Sequence, residues 1–438
     1  MKRTTQYLFS MLLLGAALVS CNRMEEDVFS ENPSERLQKY TNAVYDELIS
    51  APNGWEVRYF MNPESAGYAM IMQFNADGTA KVAAKNSAST SGKYAVDESL
   101  WELISEDGAI ISFPTYNKVV HAFADPKSDG VGLGGDYEFV VKEHSSQAMR
   151  ITGRKHGAQI YMYPLPSGQD WEEYFNKVDA VDAVMFTGND DMSFNLVRNG
   201  EKQKVEYSKH MFGWMVGDTV EFIYRFITTP NGISFYYEHG VDVGEQKAQN
   251  FAFNSDNTAL VCTDEGIDAR FEAYYSPTEF FEYKLVNKAF WHLNAENMGA
   301  VAQSAYDDFV NTVNSSGSAS NRRTITGFNL RMINENFVVE ITYKDKDGSS
   351  KSGYVTMSKE VKPESVTFAY KSADDNATAI LQRAGNANLE DGIAKFNALF
   401  AGSFAVSSAK GGTLNMNEIN LVDINDAVRS YVFSLRYK

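Results

Sequence analysis

Cys21 is the residue whose neighbours point most clearly to chemistry. It follows Leu18, Val19 and Ser20, which end an apolar run that begins after the cationic residues near the amino terminus. The run holds about a dozen apolar residues, too few to cross a hydrocarbon core of about 30 Å as a helix. It therefore predicts a secretory signal peptide over residues 1–20, cleaved immediately before Cys21 so that this thiol lies at the new amino terminus.

This arrangement resembles the lipobox of bacterial lipoproteins. In that family of signals, the small residue before the cysteine lets the signal peptidase cut, and the thiol receives diacylglycerol, later joined by an N-terminal acyl chain. One acyl chain binds a membrane only marginally, whereas several anchor a protein stably. The resemblance implies that Cys21 is lipidated and tethers the mature chain to a membrane. The alternatives are a plain secretory peptide or a membrane helix, with the cysteine incidental.

An acidic segment follows the cysteine over residues 21–31. Its carboxylates Glu25, Glu26 and Asp27 are similar to the export signal that sends many Bacteroidota lipoproteins across the outer membrane to the cell surface. This similarity implies an outer-membrane, lipid-anchored protein that faces the cell exterior. A solvated spacer on the periplasmic side is the alternative, because a segment with nothing to bury is expected to be polar.

The elements that such an anchor would hold are predicted to be mainly β, a β-rich α+β fold. Short segments of alternating aromatic and β-branched residues recur between turn signals. Strands joined by local turns form antiparallel meanders that can curl into lipocalin-like half-barrel or barrel modules with a few packing helices. The predicted modules are an N-terminal helix plus antiparallel β domain over residues 32–166, a linking helix plus second β segment over 167–285, and a C-terminal α+β segment over 286–438.

Capping and turn residues predict several local elements. A helix is expected to begin after Asn32, because Pro33 suits its first position and Glu35 lies three residues beyond the cap. The other elements predicted from the pattern are a short strand over residues 118–121, continuous β structure from residue 184 to residue 285, a helix over residues 294–313 and a helix over residues 389–399.

Charge and cysteine content exclude some classes of partner and of scaffold. The formal net charge of −17 would repel a polyanion, so nucleic acid is not an expected partner. The two cysteines cannot build a disulfide framework if Cys21 carries lipid. Cys262 ends the apolar run 259–262 and is predicted to be a buried strand residue rather than a nucleophile. Stability must then come from packed cores.

No residue pattern predicts catalysis, a metal site or a cofactor. The six histidines show no metal-ligand spacing, and the sequence has no His-Glu-x-x-His, Gly-x-Ser-x-Gly, P-loop or dinucleotide motif. The segment 345–348, Asp-Lys-Asp-Gly, holds half the ligands of a calcium loop, but its place between two strand-like runs favours a hairpin turn. Adjacent carboxylates such as Glu172 and Glu173 point in different directions on a helix, which indicates a charged outer face.

Two stretches resemble a known family. Residues 34–74, with the run 50–55 and the pair Gly67-Tyr68, look like the opening of an uncharacterised Bacteroidota lipoprotein family known as a domain of unknown function. Residues 228–236 look like a second signature of the same family. Members of such families often accompany outer-membrane nutrient importers, so the resemblance implies an accessory binding role. It transfers no catalytic residues.

These observations leave three functional classes open. The first is a lipid-anchored accessory protein of a nutrient-uptake system, whose partners are the membrane, importer components or a glycan or peptide ligand. The second is a hydrolase of extracellular polymers, which would require two carboxylates converging about 5 to 10 Å apart. The third is a structural or adhesive surface subunit, which would require a long exposed edge strand.

Overall fold

The computed structural model describes residues 32–62, 65–106, 108–126, 132–188, 192–236, 240–287, 289–317 and 322–437. The predicted signal peptide, its lipobox, Cys21 and the acidic tether with Glu25, Glu26 and Asp27 lie outside these residues. Within the described part of the chain, no helix is both long enough and apolar enough to span a membrane.

The fold is mainly antiparallel β, as the sequence predicted, and its first unit is a nine-stranded sheet preceded by helix α1 (Pro33–Ile49). The strand order in this N-terminal sheet is β4-β3-β2-β1-β9-β8-β7-β6-β5. The strands are β1 (Trp55–Phe60), β2 (Tyr68–Phe74), β3 (Thr79–Ala84), β4 (Ala95–Leu100), β5 (Glu102–Glu106), β6 (Gly108–Ser112), β7 (Glu138–His144), β8 (Met149–Gly153) and β9 (Gln159–Pro164); a short helix α2 (Lys118–His121) precedes β7.

This sheet is rolled until its two edges meet. Strands β4 and β5 lie at opposite edges, yet only Trp101 separates them along the chain. The edges must therefore come together at this buried residue, whose ring packs against Phe74 and Tyr45. The β4 edge is capped where Thr115 Oγ1 accepts a hydrogen bond from the Leu100 amide, and α1 packs over β5. The sheet is an incomplete barrel with covered edges.

The second unit is a closed middle barrel in the order β10-β11-β12-β13-β14-β17-β18-β19, preceded by helix α3 (Trp171–Met185). Its strands are β10 (Ser193–Arg198), β11 (Glu201–Ser208), β12 (Met211–Val216), β13 (Thr219–Thr229), β14 (Gly232–Phe235), β17 (Asn250–Phe253), β18 (Ala259–Cys262) and β19 (Ala269–Ala273); β15 (Val241–Val243) and β16 (Gln246–Ala248) form a separate hairpin. Inward-facing aromatic rings fill the barrel, with Phe212 stacked on Phe271 at 4.4 Å between ring centroids. The interior is therefore packed rather than hollow.

The third unit is a closed C-terminal barrel in which β20 to β27 neighbour one another in chain order. Its strands are β20 (Ala289–Met298), β21 (Thr324–Ile333), β22 (Asn336–Lys344), β23 (Ser350–Lys362), β24 (Ser365–Ala373), β25 (Gly402–Ser408), β26 (Glu418–Asp423) and β27 (Ser430–Tyr437). Its helices are α4 (Pro277–Val286), α5 (Ala300–Ser315), α6 (Asp375–Ala384) and α7 (Leu389–Phe400). Phe281 of α4 stacks on Trp291 of β20, so α4 packs onto the barrel that follows it.

The predicted start of α1 is confirmed. Asn32 caps the helix by accepting a hydrogen bond from the Glu35 amide at 2.8 Å, and Pro33 occupies the first position. The helix ends before Gly54, whose φ of +84° and close approach to the Met72 carbonyl leave no room for a Cβ. The chain then enters β1, where the Trp55 indole donates back to the Leu48 carbonyl at 2.9 Å and fixes the helix on the sheet.

Three local predictions were wrong. Residues 118–121 form a helical turn rather than a strand, because Asn117 Oδ1 accepts from the amides of Val119 and Val120. The β structure expected to continue to residue 285 is interrupted by α4, which begins with a capping box at Ser276. The helix expected from residue 294 begins at Ala300, because β20 continues through Met298.

Other local predictions are confirmed or confirmed in part. Residues 345–348 form the β22–β23 hairpin turn, closed by the Gly348 amide donating to the Asp345 carbonyl at 2.8 Å. The helix predicted over residues 389–399 is α7. Cys262 is a strand residue, as predicted, but it lies at the end of β18 and is only half-buried. Burial raises the pKa of its thiol, which favours the unreactive protonated form.

Candidate functional site

The two stretches that carry the family resemblance meet where the N-terminal sheet contacts the middle barrel. The Gly67 amide donates a hydrogen bond to the Phe226 carbonyl at 3.1 Å. A Cβ on Gly67 would lie only 2.7 Å from both Ile227 Cβ and a ring carbon of Phe60. Glycine is therefore required here by the close approach of β13 to the loop before β2.

An apolar plug fills the centre of this junction. Phe60 from β1, Ile227 from β13 and Tyr236 after β14 form one buried cluster, and the rings of Phe60 and Tyr236 meet edge to face at 5.3 Å. Burial of such side chains between modules stabilises their docking by an amount that grows with the apolar area removed from water. The plug fixes how the two modules sit against each other.

A half-buried guanidinium adds polar contacts to the same junction. Arg58 Nη1 donates to Ser234 Oγ at 2.9 Å and to Asn250 Oδ1 at 3.4 Å, so it joins β1 to the middle barrel. Its Nε donates to Glu56 at 2.8 Å, and the guanidinium lies 4.5 Å from the ring centroid of Tyr163. A planar cation that both stacks and bonds in several directions holds its neighbours in a fixed orientation.

A cleft of about 430 Å³ opens beside this junction, between the N-terminal sheet, α3 and the middle barrel. We call it the junction cleft. Its apolar wall is formed by Tyr68, Phe175, Val178 and Ile227, and its polar residues include Lys85, Asn86, Asp179, Asp182, Lys209, His210 and Thr228. Its volume lies within the range of small-molecule sites, which starts at about 300 Å³, and its polar residues outnumber the apolar side chains of that wall.

Asp182 is the centre of the polar cluster in this cleft. Its Oδ1 accepts a hydrogen bond from Thr228 Oγ1 at 2.6 Å and lies 2.9 Å from His210 Nε2. Because an ionised carboxylate only accepts, Nε2 carries the proton in this contact. The cluster joins α3 to β13 and to the turn between β11 and β12.

That turn holds its residues in an uncommon backbone conformation. Lys209 and His210 both have positive φ, at 47° and 62°, in a two-residue hairpin turn where Asn-Gly is the usual pair. Non-glycine residues in this region carry strain that persists only when the surroundings enforce it, and such strain clusters at functional sites. Here the His210 ring is held by Asp182 and by the neighbouring ring of Phe226, with the ring centroids 5.5 Å apart.

The second carboxylate of the cleft is also partnered. Asp179 forms an ion pair with Lys85, whose Nζ lies 3.0 Å from Asn176 Oδ1. Asp179 and Asp182 are three residues apart on α3, so both project from one side of the helix. The cleft thus presents carboxylate acceptors on one wall.

Asn86 supplies a donor with no partner. Its Oδ1 accepts from the amide of Ser89 at 2.8 Å and from the Ser89 hydroxyl at 3.0 Å, which fixes the orientation of the side-chain amide. Its Nδ2 is buried and has no hydrogen-bond partner among the described residues. A buried unpaired donor is costly, and this one belongs to a residue that lines the junction cleft.

The family signatures include Gly67, Tyr68 and Thr228 of this site, whereas no sequence motif marks its other polar residues. His210 is half-buried. Two sequence signals point to this site. Asp179 and Asp182 are spaced to share one side of a predicted helix, and the hairpin turn at residues 209–210 lacks glycine and asparagine. Within the described ranges, no group of three or more His, Cys, Asp or Glu residues could hold a metal ion.

Comparison with known families identifies a family that matches this chain. The family DUF4302, a domain of unknown function, matches residues 25–255. The chain belongs to the DUF4302 family. The matched range includes the whole N-terminal sheet and continues through β17 of the middle barrel, so it contains both sides of the junction cleft. The match ends before β18 and β19, so it covers the N-terminal sheet and only part of the middle barrel.

Other comparisons add little. No curated protein matches this sequence. Among solved structures, the Helicobacter pylori beta clamp in complex with diflunisal matches with 11% identity over 92% of this chain and 97% of that chain, at a TM-score of 0.13. The same clamp in complex with 5-chloroisatin matches with 10% identity over the same shares, at a TM-score of 0.12. Scores this low carry no argument about fold or function.

Proposed function

We propose that this DUF4302 protein is a lipid-anchored surface protein of the outer membrane that binds a small ligand in the junction cleft, as an accessory of a nutrient-uptake system. The observation that carries the binding role is the convergence of the family's two signature stretches on this one cleft. A binding accessory needs a preformed pocket and a tether, and it needs no catalytic group.

The anchoring part of the proposal is supported by the pattern around Cys21. The lipobox, the acidic segment after it and the capped start of α1 at Asn32 follow one another without a further predicted element. Acyl chains on Cys21 would therefore hold the N-terminal sheet near a membrane through a short polar spacer.

The edges of the sheets argue against the adhesive alternative. Both barrels are closed, and the two edges of the N-terminal sheet meet at Trp101 and are covered by α1 and by the loop before α2. Strand addition requires an accessible row of unpaired backbone groups. A binding role is therefore better supported than a role in strand exchange.

A hydrolase of extracellular polymers is the second candidate, because one observation favours it. Asp179 and Asp182 lie on one side of α3 and both line the junction cleft. However, Asp179 pairs with Lys85, and Asp182 is engaged by His210 and Thr228. Carboxylates that already have such partners serve better as fixed acceptors for a ligand than as a general acid and base.

The anchor can be tested by replacing its cysteine. Cys21→Ala is expected to abolish acyl labelling and to release the protein from membranes, because the proposal includes no other membrane attachment. Glu25, Glu26 and Asp27 replaced together by Ala should lower protease accessibility on intact cells while labelling persists. Unchanged membrane fractionation of the Cys21 variant would refute the lipid anchor.

The binding role can be tested by native mass spectrometry of the purified protein with two probe mixtures, one of neutral mono- and disaccharides and one of dipeptides. We expect a bound component whose affinity falls about tenfold in Asn86→Ala and in Asp182→Asn, because each change removes a polar contact to the ligand. Ser87→Ala, an exposed neighbour in the same wall, is the matched control. Equal binding by all variants, or no bound component from either mixture, would contradict the proposal.

A further inference from the structure

A row of polar side chains crosses the outer face of the C-terminal barrel. The strand register places Glu418 opposite Ser434, Ser434 opposite His292, His292 opposite Asn329 and Asn329 opposite Glu340. The alternate residues of these strands, such as Trp291 and Leu330, point into the core. The row thus runs across β26, β27, β20, β21 and β22 on one face of the sheet.

The row is buried where it reaches β22. Glu340 is 5% exposed and Asn329 is 7% exposed, although both lie on the outer side of the barrel. Glu340 Oε2 accepts from Arg331 Nη1 at 2.7 Å, and Oε1 accepts from Ser352 Oγ at 2.9 Å. Burial by itself raises the pKa of Glu340, but the hydrogen bonds from Arg331, Asn329 and Ser352 outweigh it and lower this pKa below its ordinary value of 4.5. Glu340 is therefore ionised at neutral pH.

An ionised Glu340 determines the proton positions along the row. Because the carboxylate can only accept, Asn329 must donate through Nδ2, which lies 2.9 Å from Glu340 Oε2. Asn329 Oδ1 then faces His292 Nδ1 at 2.7 Å, and as an acceptor it requires the proton on Nδ1. When the imidazole is neutral, its lone pair consequently lies on Nε2. A second hydrogen bond that sets the tautomer is a common way to prepare a histidine for its partner.

His292 lines a cleft of about 310 Å³ beside α5, which we call the barrel-face cleft. Its polar lining includes His292, Asn294, Glu296, Thr326, Ser434 and Arg436, and Tyr306 of α5 contributes an aromatic wall. A Cβ on Gly327 would lie 3.1 Å from His292 Cε1, so the glycine leaves room for the imidazole ring. The charges of Glu296 and Arg436 cancel, and both side chains are exposed at the rim.

We propose that the barrel-face cleft binds a neutral sugar unit, one of whose hydroxyls donates a hydrogen bond to His292 Nε2. The lining offers acceptors and donors side by side, and a hydroxyl is the group that can do both. Opposite charges of equal number at the rim favour a neutral ligand over an anion or a cation. The proposal does not depend on the lipid anchor or on the junction cleft, because all its residues belong to the C-terminal barrel and α5.

The first test reads the state of His292 directly by nitrogen NMR of the full-length protein labelled with ¹⁵N-histidine. At a pH where the ring is neutral, we expect the signals of the tautomer protonated on Nδ1, and Asn329→Ala should convert them to those of the other tautomer. A ring protonated on Nε2 in the parent protein would overturn the proposal.

The second test titrates the same labelled protein with glucose, galactose and N-acetylglucosamine, and with glucuronate and glycylglycine as contrasts. At least one neutral sugar should move the His292 Nε2 signal saturably, and its affinity should fall about tenfold in His292→Ala but not in His156→Ala, a histidine in the N-terminal sheet's last hairpin. Glu296→Gln and Arg436→Gln, at exposed positions, should weaken binding in the same assay if His292→Ala does not fold. No shift with any neutral sugar, or a shift with glucuronate or glycylglycine alone, would refute the assignment.

Discussion

The junction cleft and the barrel-face cleft are assembled in different ways. The first lies between modules, and its walls come from a loop before β2, from α3 and from β13. The second lies on one barrel, and the position of His292 there follows from the register of β20, β21 and β22. The junction cleft therefore depends on how modules dock, whereas the barrel-face cleft depends on one barrel and on α5, which packs against it.

The polar contacts of the two clefts differ in the same way. In the junction cleft, Asp182 reaches from α3 to His210 in the turn between β11 and β12, so this contact depends on how the helix packs on the middle barrel. In the barrel-face cleft, Asn329 contacts Glu340 directly across a strand pair. Substitutions at the junction should therefore change one cleft and leave the other intact.

The largest effect is expected from Glu340→Ala. This change leaves the half-buried guanidinium of Arg331 and the amide of Asn329 without their acceptor, and breaking such a pair costs about 3–5 kcal/mol. Hydrogen exchange should show faster exchange in β20 to β23, with the N-terminal sheet unchanged. Equal loss of protection in both regions would contradict the independence of the two clefts.

A smaller effect is expected from Gly67→Ala at the junction. The added methyl must displace Ile227 or Phe60, and overpacking of this kind costs about 1–3 kcal/mol. Ligand binding in the junction cleft should weaken, while the NMR signals of His292 stay as in the parent protein. A change of the His292 signals would show that the clefts are coupled.

Asn415→Ala probes the contact between α3 and the C-terminal barrel. This side chain is 1% exposed, and its Nδ2 donates to the carbonyls of Thr187 at 3.2 Å and Ala183 at 3.4 Å. Its loss removes the donor to these two carbonyls, at a cost of about 1–2 kcal/mol in the free energy of unfolding. Urea denaturation followed by fluorescence should detect this cost, and affinity in the barrel-face cleft should not change.

The smallest effect is expected in the pH dependence of stability. Because the pKa of Glu340 is lowered in the folded chain, its stabilising contribution is fully present above its ordinary value of 4.5 and is lost as the pH falls through the lowered folded value. Glu340→Gln should therefore flatten the decline in stability below pH 4.5. Thermal unfolding of the two proteins across that acidic range would measure it, and parallel curves would contradict the prediction.

Local signals predicted those parts of the fold that depend on neighbouring residues. Asn32 and Pro33 predict the start of α1, and the place of residues 345–348 between two strand-like runs predicts the hairpin turn. Phe280 and Phe281 are residue types typical of strands, so the pattern hides α4 although Ser276 caps it.

The clefts could not be predicted in the same way. His210 and Asp182 are 28 residues apart in sequence, and Asn329 and His292 are 37 residues apart. Their contacts depend on how modules dock and on strand register, which a single sequence does not specify. Gly67 was noticed as a signature, but its reason, the approach of Ile227, required the folded chain.

Helix α3 contacts each of the three β modules. Phe175 packs against Tyr94 of the first module, Asp182 bonds to the middle barrel, and the last turn receives Asn415 from the third. One helix of 15 residues thus serves as a shared seat for three β modules. A break in this helix would therefore loosen the attachment of all three at once.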